Sequence, residues 1–250
     1  MTLENKVVFV TGSARRVGRQ IALTFAEHGA HLVIHHASAS SADDAQATAD
    51  EIRQMGRDVL VVSGNQAKSD DLSTIFDAIT AHFGRLDVMV NSAAIFKRND
   101  LLDISEDEWD LVMNVNLKGP FMLTQQAARL MQEQEGGVII NISDNSGINA
   151  WASRPHHSIS KAGVIMLTQV SALSLAQYGI RVNCVVPGPV LVPADAEDTV
   201  LDEIADALPI GHIGDPRNIA DACIFFAQNE FATGSILRVD GGEGLAGGET

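Results

Sequence analysis

Thr11-Gly12-Ser13-Ala14-Arg15-Arg16-Val17-Gly18 is the stretch on which the reading of this chain turns. An apolar, β-branched run, Val7–Thr11, leads into it, and an amphipathic helical pattern, Val17–His28, leaves it. A strand-to-helix turn with glycine at 12 and 18 keeps side-chain bulk away from the backbone N–H groups at the positive end of the helix. That is the shape a pyrophosphate needs. The turn is not a phosphate loop of the Gly-Lys-Ser/Thr kind, because no such triplet follows.

Working outward, β-branched runs alternate with helix-period segments along the whole chain. His31–His35, Val59–Val62, Val88–Asn91, Val138–Ser143, Arg181–Val186 and Ile236–Val239 read as further strands. Ser41–Met55, Ser69–Phe83, Glu106–Gln132, Ser158–Tyr178 and Pro216–Gln228 read as helices, with Ser69 and Ser105 placed as N-caps and Gly29 and Gly179 as helix stops. Strands this apolar belong in a parallel sheet covered on both faces. The spacing predicts an α/β protein, a doubly wound parallel sheet of the Rossmann type, as a single domain over residues 1–250. The least regular stretch, Pro187 to about Ala207, is expected to be either a mobile lid over a cleft or a solvated surface loop.

Composition narrows the partners. A formal net charge of −15 opposes phosphate neutralisation, so no nucleic-acid partner is expected. The two cysteines, Cys184 and Cys223, lie in apolar stretches and suit reduced, buried thiols and a cytoplasmic location. The first residues carry no basic targeting region, and no apolar stretch reads as approaching the roughly 18 residues of a membrane span, so no membrane partner is expected. The pairs His35-His36 and His156-His157 have no third ligand nearby in sequence, and no metal site is expected.

The end of the second strand bears on the cofactor. Dinucleotide folds that prefer NAD place an acid there to accept from the ribose 2′-OH, and that acid would repel a 2′-phosphate. This chain has His35-His36-Ala37-Ser38 instead, with no acid before Asp43. Arg15, Arg16, His36 and Ser38 can supply charge and donors to a phosphate, which points to NADP(H). Two arginines at a helix start oppose its dipole, so an anion is expected to compensate them.

These motifs resemble the short-chain dehydrogenase/reductase family. The pattern Thr-Gly-x-x-x-x-x-Gly is its phosphate turn, with Arg16 where a further glycine usually stands, as in the pteridine-reductase branch. The resemblance implies cofactor contacts at Gly12, Ser13, Arg15, Arg16, Val17, Gly18, His36, Ala37 and Ser38. It adds Asn65-Gln66 beside the adenine, Asn91-Ser92-Ala93 after the fourth strand, and Pro187, Gly188 and Val190 near the nicotinamide. Thr233-Gly234 and Val239-Asp240-Gly241-Gly242 match the family's last strand.

It also implies a catalytic set of Asn116, Asp144, His157 and Lys161. The family's proton donor is the tyrosine of Tyr-x-x-x-Lys; here the lysine is Lys161 and the tyrosine position holds His157. The family's serine stands 13 positions before its tyrosine, and that count reaches Asp144. Lys161 would bind the nicotinamide ribose, and an Asp144–His157 pair within hydrogen-bond reach would keep imidazolium available as general acid. A carboxylate favours a cationic C=N substrate, pterin-like or iminium, over a simple ketone. Two other readings are carried: a catalytically silent NADP-binding protein, and a non-redox enzyme using Asp144 and His157 as acid and base. The partner is a small-molecule substrate. Apolar residues on more than one face of Glu106–Gln132 and Ser158–Tyr178 suggest a second subunit, and the resemblance implies a homotetramer.

Overall fold

The computed structural model describes residues 1–134, 136–191 and 198–246. Seven strands, β1 (Val7–Val10), β2 (His31–His36), β3 (Val59–Ser63), β4 (Val88–Asn91), β5 (Gly137–Ile142), β6 (Ile180–Pro187) and β7 (Ile236–Val239), form one sheet. Their order is β3-β2-β1-β4-β5-β6-β7, and every pairing is parallel. Helices α1 (Arg16–Glu27), α2 (Ala42–Gln54), α3 (Ser69–Phe83), α4 (Glu106–Met113), α5 (Gly119–Glu133), α6 (Pro155–Leu175), α7 (Asp198–Ala207), α8 (Pro216–Gln228) and α9 (Glu243–Ala246) complete the described residues.

Strand alternation splits the core in two. Val8 and Val10 pack with Ile21, Phe25 and Ile52 and with Phe226 of α8 on one face. Val7 and Phe9 pack with Phe76, Ile79, Leu123 and Met131 on the other. Successive side chains of a strand point to opposite faces, so a fully apolar strand demands this double cover. The strand order reverses between β1 and β4. The turn after β1 and the loop after β4 therefore diverge and leave a crevice at the carboxyl end of the sheet, where doubly wound folds bind ligands.

Several expectations need correction. The predicted helix Glu106–Gln132 is broken by a π turn over Asn114–Lys118, which periodicity cannot register because α and π turns share neighbouring spacings. Helix α6 starts at Pro155 rather than Ser158, so both His156 and His157 lie in its first turn. Proline is well suited to that position, since its missing N–H has no intrahelical partner to lose. Ser105 caps α4 by accepting from Glu108 N, but the N-cap of α3 is Lys68, and Ser69 is already helical. Of the irregular stretch from Pro187 to Ala207, residues 198–207 are helix α7, and residues 192–197 of the expected lid lie outside the described residues. Lastly, Pro155–Tyr178 is by length and composition apolar enough to cross a membrane, with a mean hydropathy of 1.4 over its most apolar window. Polar residues interrupt it too often for it to read as an apolar run, yet they leave that average high. In the fold it packs on β5 and β6 and buries Lys161.

Candidate active site

Gly12 opens the turn at φ +66°, a left-handed conformation, with Ala93 packed where a β-carbon would lie. A β-carbon on Gly18 would fall 2.5 Å from the carbonyl oxygen of Gly12, so the turn closes on itself only with glycine there. Arg16 also sits at positive φ, +56°, which accounts physically for the glycine that the resemblance would place at this position. Helix α1 has no acid in its first turn and no side-chain cap, so its N-terminal N–H groups are left for an anion. Thr11 Oγ1 accepts from the N–H groups of Ser92 and Ala93, each at 3.0 Å, and locks the loop after β4 to this turn. Ala93 thus meets Gly12, and Ser92 meets Thr11.

Not every expected residue points there. Ser13 is fully buried; its N–H donates to His35 O and its hydroxyl donates to Val10 O, so it braces the turn from behind. Arg15 pairs with Asp44 and donates to Ser40 O, and Asp44 is the anion that compensates it. Arg16 is exposed at the head of α1 beside Val17. His36 closes β2, with Ala37 and Ser38 following; a ring nitrogen of His36 donates to Ser38 O at 3.0 Å. Buried Gln66 donates to Ala93 O and Val115 O, and buried Asn91 donates to Asn141 Oδ1, so both act as internal ties. Asn65 N–H donates to Asp71. Pro187 ends β6. Gly188 donates to Val239 O, and Val190 lines a cavity of about 240 Å³ with Pro189, Leu208 and Ile210.

Sequence reasoning missed His35, which is 1% exposed. Its Nδ1 accepts from Gly12 N–H at 3.1 Å and its Nε2–H donates to Gly64 O at 2.9 Å. Burial pushes its pKa down to about 4, against the Gly64 hydrogen bond and with the charge of His36. In the unfolded chain the ring protonates near pH 6.5, whereas the folded ring stays neutral down to about 4. Between those values the unfolded state binds more protons, so stability is full above about 6.5 and falls as the pH drops toward 4, by about 3 kcal/mol for this group. Urea midpoints taken at both ends of that window are expected to drop on acidification, and to drop less in His35→Asn.

The expected catalytic residues converge at the carboxyl ends of β4 and β5. Asp144, in the turn after β5, accepts from Ser146 N–H at 2.8 Å and faces His157 Nε2 at 3.7 Å. That is ion-pair distance but longer than a hydrogen bond, and buried His157 Nε2 has no hydrogen-bond partner. Burial opposes ionisation of Asp144, but His157, Lys161 and Ser146 outweigh it and hold the carboxyl below its ordinary range. Asn116, turned inward by the π segment, accepts from Ile95 N–H at 2.8 Å and donates to Ile95 O at 2.9 Å. Those two bonds fix which end of the amide is nitrogen. Asn116 Nδ2 then also faces His157 Nδ1 at 3.4 Å and Ser160 Oγ at 3.3 Å. Nδ1 is the acceptor in that contact, so the tautomer that fits carries its proton on Nε2, toward Asp144. A second proton, on Nδ1, would set N–H against N–H in that contact. Lys161, fully buried, donates to Ile142 O at 2.9 Å, and burial lowers its pKa against the charge of Asp144.

The outer wall is aromatic. Phe96, 56% exposed, meets the His157 ring edge-on at 4.7 Å and that of Trp151 at 6.4 Å. The Arg154 guanidinium lies 3.8 Å above the Phe96 ring. Buried His156 meets Glu108 Oε1 at 3.1 Å, and Glu108 also accepts from Asn99, which ties the start of α6 to the loop that carries Phe96. Among the described residues no cluster of three metal-ligating side chains occurs.

A doubly wound sheet with a glycine turn at its switch point and a polar cluster across the crevice defines a Rossmann-fold protein. The family model described as enoyl-(acyl carrier protein) reductase matches residues 12–243. The 3-oxoacyl-[acyl-carrier-protein] reductase FabG of Staphylococcus epidermidis is 35% identical, covering 95% of this chain and 98% of that protein. The (2S)-[(R)-hydroxy(phenyl)methyl]succinyl-CoA dehydrogenase subunit BbsD of Thauera aromatica is 38% identical, covering 99% and 100%. Among solved structures, a blue fluorescent protein from a metagenomic library in complex with NADPH superposes with TM-score 0.90 at 32% identity, covering 97% of this chain and 99% of that one. A short-chain type dehydrogenase/reductase from Mycobacterium marinum gives 0.87 at 31% identity, covering 96% of each. The chain belongs to the short-chain dehydrogenase/reductase family.

Proposed function

We propose that the protein is an NADPH-dependent oxidoreductase that passes hydride to a small C=N or C=O substrate, with a cationic C=N, iminium or pterin-like, preferred over a ketone. One observation carries this reading: the Asp144 carboxylate faces the buried, unpartnered Nε2 of His157 at 3.7 Å, where the family resemblance expects serine and tyrosine. Relatives named as oxidoreductases and an NADPH-bound structural neighbour support the redox class.

The cradle fits the dinucleotide. The closed turn of Gly12 and Gly18 and the uncapped start of α1 would hold the pyrophosphate. Arg16, His36 and Ser38 would hold the 2′-phosphate, and the end of β2 offers no carboxylate to repel it. Lys161 would turn from Ile142 O to the nicotinamide ribose, with Pro187, Gly188 and Val190 beside the ring. Bound there, NADPH supplies hydride.

The chain's own residues then set what is reduced. Reducing a ketone leaves an alkoxide that needs a proton, and the site has no phenol at position 157 to give one. An iminium becomes a neutral amine on accepting hydride and needs no proton. Asp144 attracts the cationic reactant into the site, and Asn116 holds the His157 tautomer whose Nε2–H faces that carboxylate. Phe96 offers a ring face to a planar substrate.

Steady-state oxidation of NADPH against ketone, imine and pterin panels tests the assignment. Turnover of imines or pterins is expected; turnover of ketones alone would overturn the preference, and tight NADPH binding with no turnover on any panel would make the protein a silent carrier. His157→Tyr restores a phenol donor, and a well-placed general acid contributes about 10²–10⁴-fold, so ketone reduction in that variant is expected to rise about 100-fold.

The same reading extends to assembly. Phe121 of α5 and Met166, Val170 and Leu173 of α6 are all exposed, and Phe121 and Val170 line a groove of about 340 Å³ with Ala128 and Leu167. Exposed apolar side chains on two long helices suit a second copy of the chain, and the family resemblance suggests tetramers. Light scattering on the purified protein is expected to give an oligomer, and Val170→Glu with Leu173→Glu is expected to give smaller species. A monomer at micromolar concentration in the unaltered protein would reject it.

A further inference from the structure

We infer that His35 is a positioning residue for the cofactor, a neutral imidazole strut that sets the phosphate turn and the Gly64 loop against each other. The inference rests on the dinucleotide reading of the crevice. His35 touches no substrate and lies behind the site, between Phe9, whose ring meets it edge-on at 6.1 Å, and the two loops. Four hydrogen bonds hold it. Gly12 N–H donates to Nδ1 at 3.1 Å, and Nε2–H donates to Gly64 O at 2.9 Å. In the main chain, His35 N–H donates to Ser13 Oγ at 2.9 Å and Ser13 N–H donates to His35 O at 3.1 Å.

The consequence follows from what Gly12 can do. At φ +66° its conformation is not fixed by a side chain, and its N–H turns into the protein instead of toward the crevice. The acceptor at His35 Nδ1 pins that N–H. The opposite ring nitrogen reaches Gly64, next to Asn65 and Gln66 on the adenine side. One ring thus spans both ends of the nucleotide cradle, and only the Nε2–H tautomer satisfies donor and acceptor together. An imidazolium would face Gly12 N–H with a second N–H. Burial keeps the ring neutral, so the strut is intact above about pH 4.

Two variants separate positioning from bulk stability. His35→Leu fills the space and offers neither contact. His35→Asn can accept from Gly12 N–H but cannot reach Gly64. With NADPH as the probe in a fluorescence titration, His35→Leu is expected to raise Kd by about tenfold or more, and His35→Asn by clearly less. At saturating NADPH, kcat is expected to stay within about threefold of the unaltered enzyme in both, so the defect falls on KM for NADPH. An unchanged Kd in either folded variant, or equal losses in Kd and kcat, would overturn the strut. Should His35→Leu fail to fold, the Asn variant still decides: an NADPH affinity equal to that of the unaltered protein rejects it. Absence of NADPH binding by the unaltered protein would instead reject the dinucleotide reading itself, and the strut with it.

Discussion

Gly18→Val is expected to weaken NADPH binding by about 100-fold while leaving the sheet folded. The added β-carbon lies 2.5 Å from a backbone oxygen of Gly12, which is carried on β1 and tied to His35 and so cannot give way as a flexible side chain would. Overpacking a contact of this kind costs about 1–3 kcal/mol, and the upper end of that range corresponds to about two decades in a dissociation constant. The turn opens, and the uncapped N–H groups of α1 move away from the pyrophosphate. Titration of nicotinamide fluorescence measures the effect. A dissociation constant within about threefold of the unaltered protein would show that the turn does not cradle the cofactor.

Asp144→Asn carries the second large effect. The change keeps shape and a hydrogen-bond acceptor for Ser146 N–H but removes the charge facing His157. The iminium loses its charge as hydride arrives, so the carboxylate acts mainly on binding of the cation: KM for an iminium substrate is expected to rise about tenfold or more, lowering kcat/KM by that factor with NADPH affinity unchanged. The sign distinguishes mechanisms: a carboxylate that merely braced the loop would lower stability and spare KM for a folded variant.

The fold was legible because most strands are apolar runs buried on both faces and every connection is long enough for a crossover helix. The turn at Gly12 and Gly18 was legible for the same reason, since a tight strand-to-helix turn leaves a mark in residue type. Side-chain roles inside the crevice were legible only as positions. Asp144, His157 and Lys161 could be placed by counting, yet nothing in the count revealed that Asn116 Nδ2 faces Nδ1, because that contact depends on a π turn that periodicity does not register. Their places in motifs mark Ser13 and Gln66 as cofactor residues, whereas their side chains turn inward, to β1 and to the loop after β4. His35 was overlooked, although one signal existed: a polar residue at the end of a strand this apolar must find buried partners. Arg15 could not be separated from Arg16 by sequence, since its partner Asp44 lies 29 residues away.

The most direct test follows the hydride. NADPH deuterated at the transferable position of the nicotinamide is supplied with a cyclic iminium and, separately, with the ketone of the same carbon frame, and the products are analysed by mass spectrometry. Deuterium on the former C=N carbon, with little or none in any alcohol, is the expected result. Deuterium in the alcohol and none in the amine would contradict the roles assigned to Asp144 and His157.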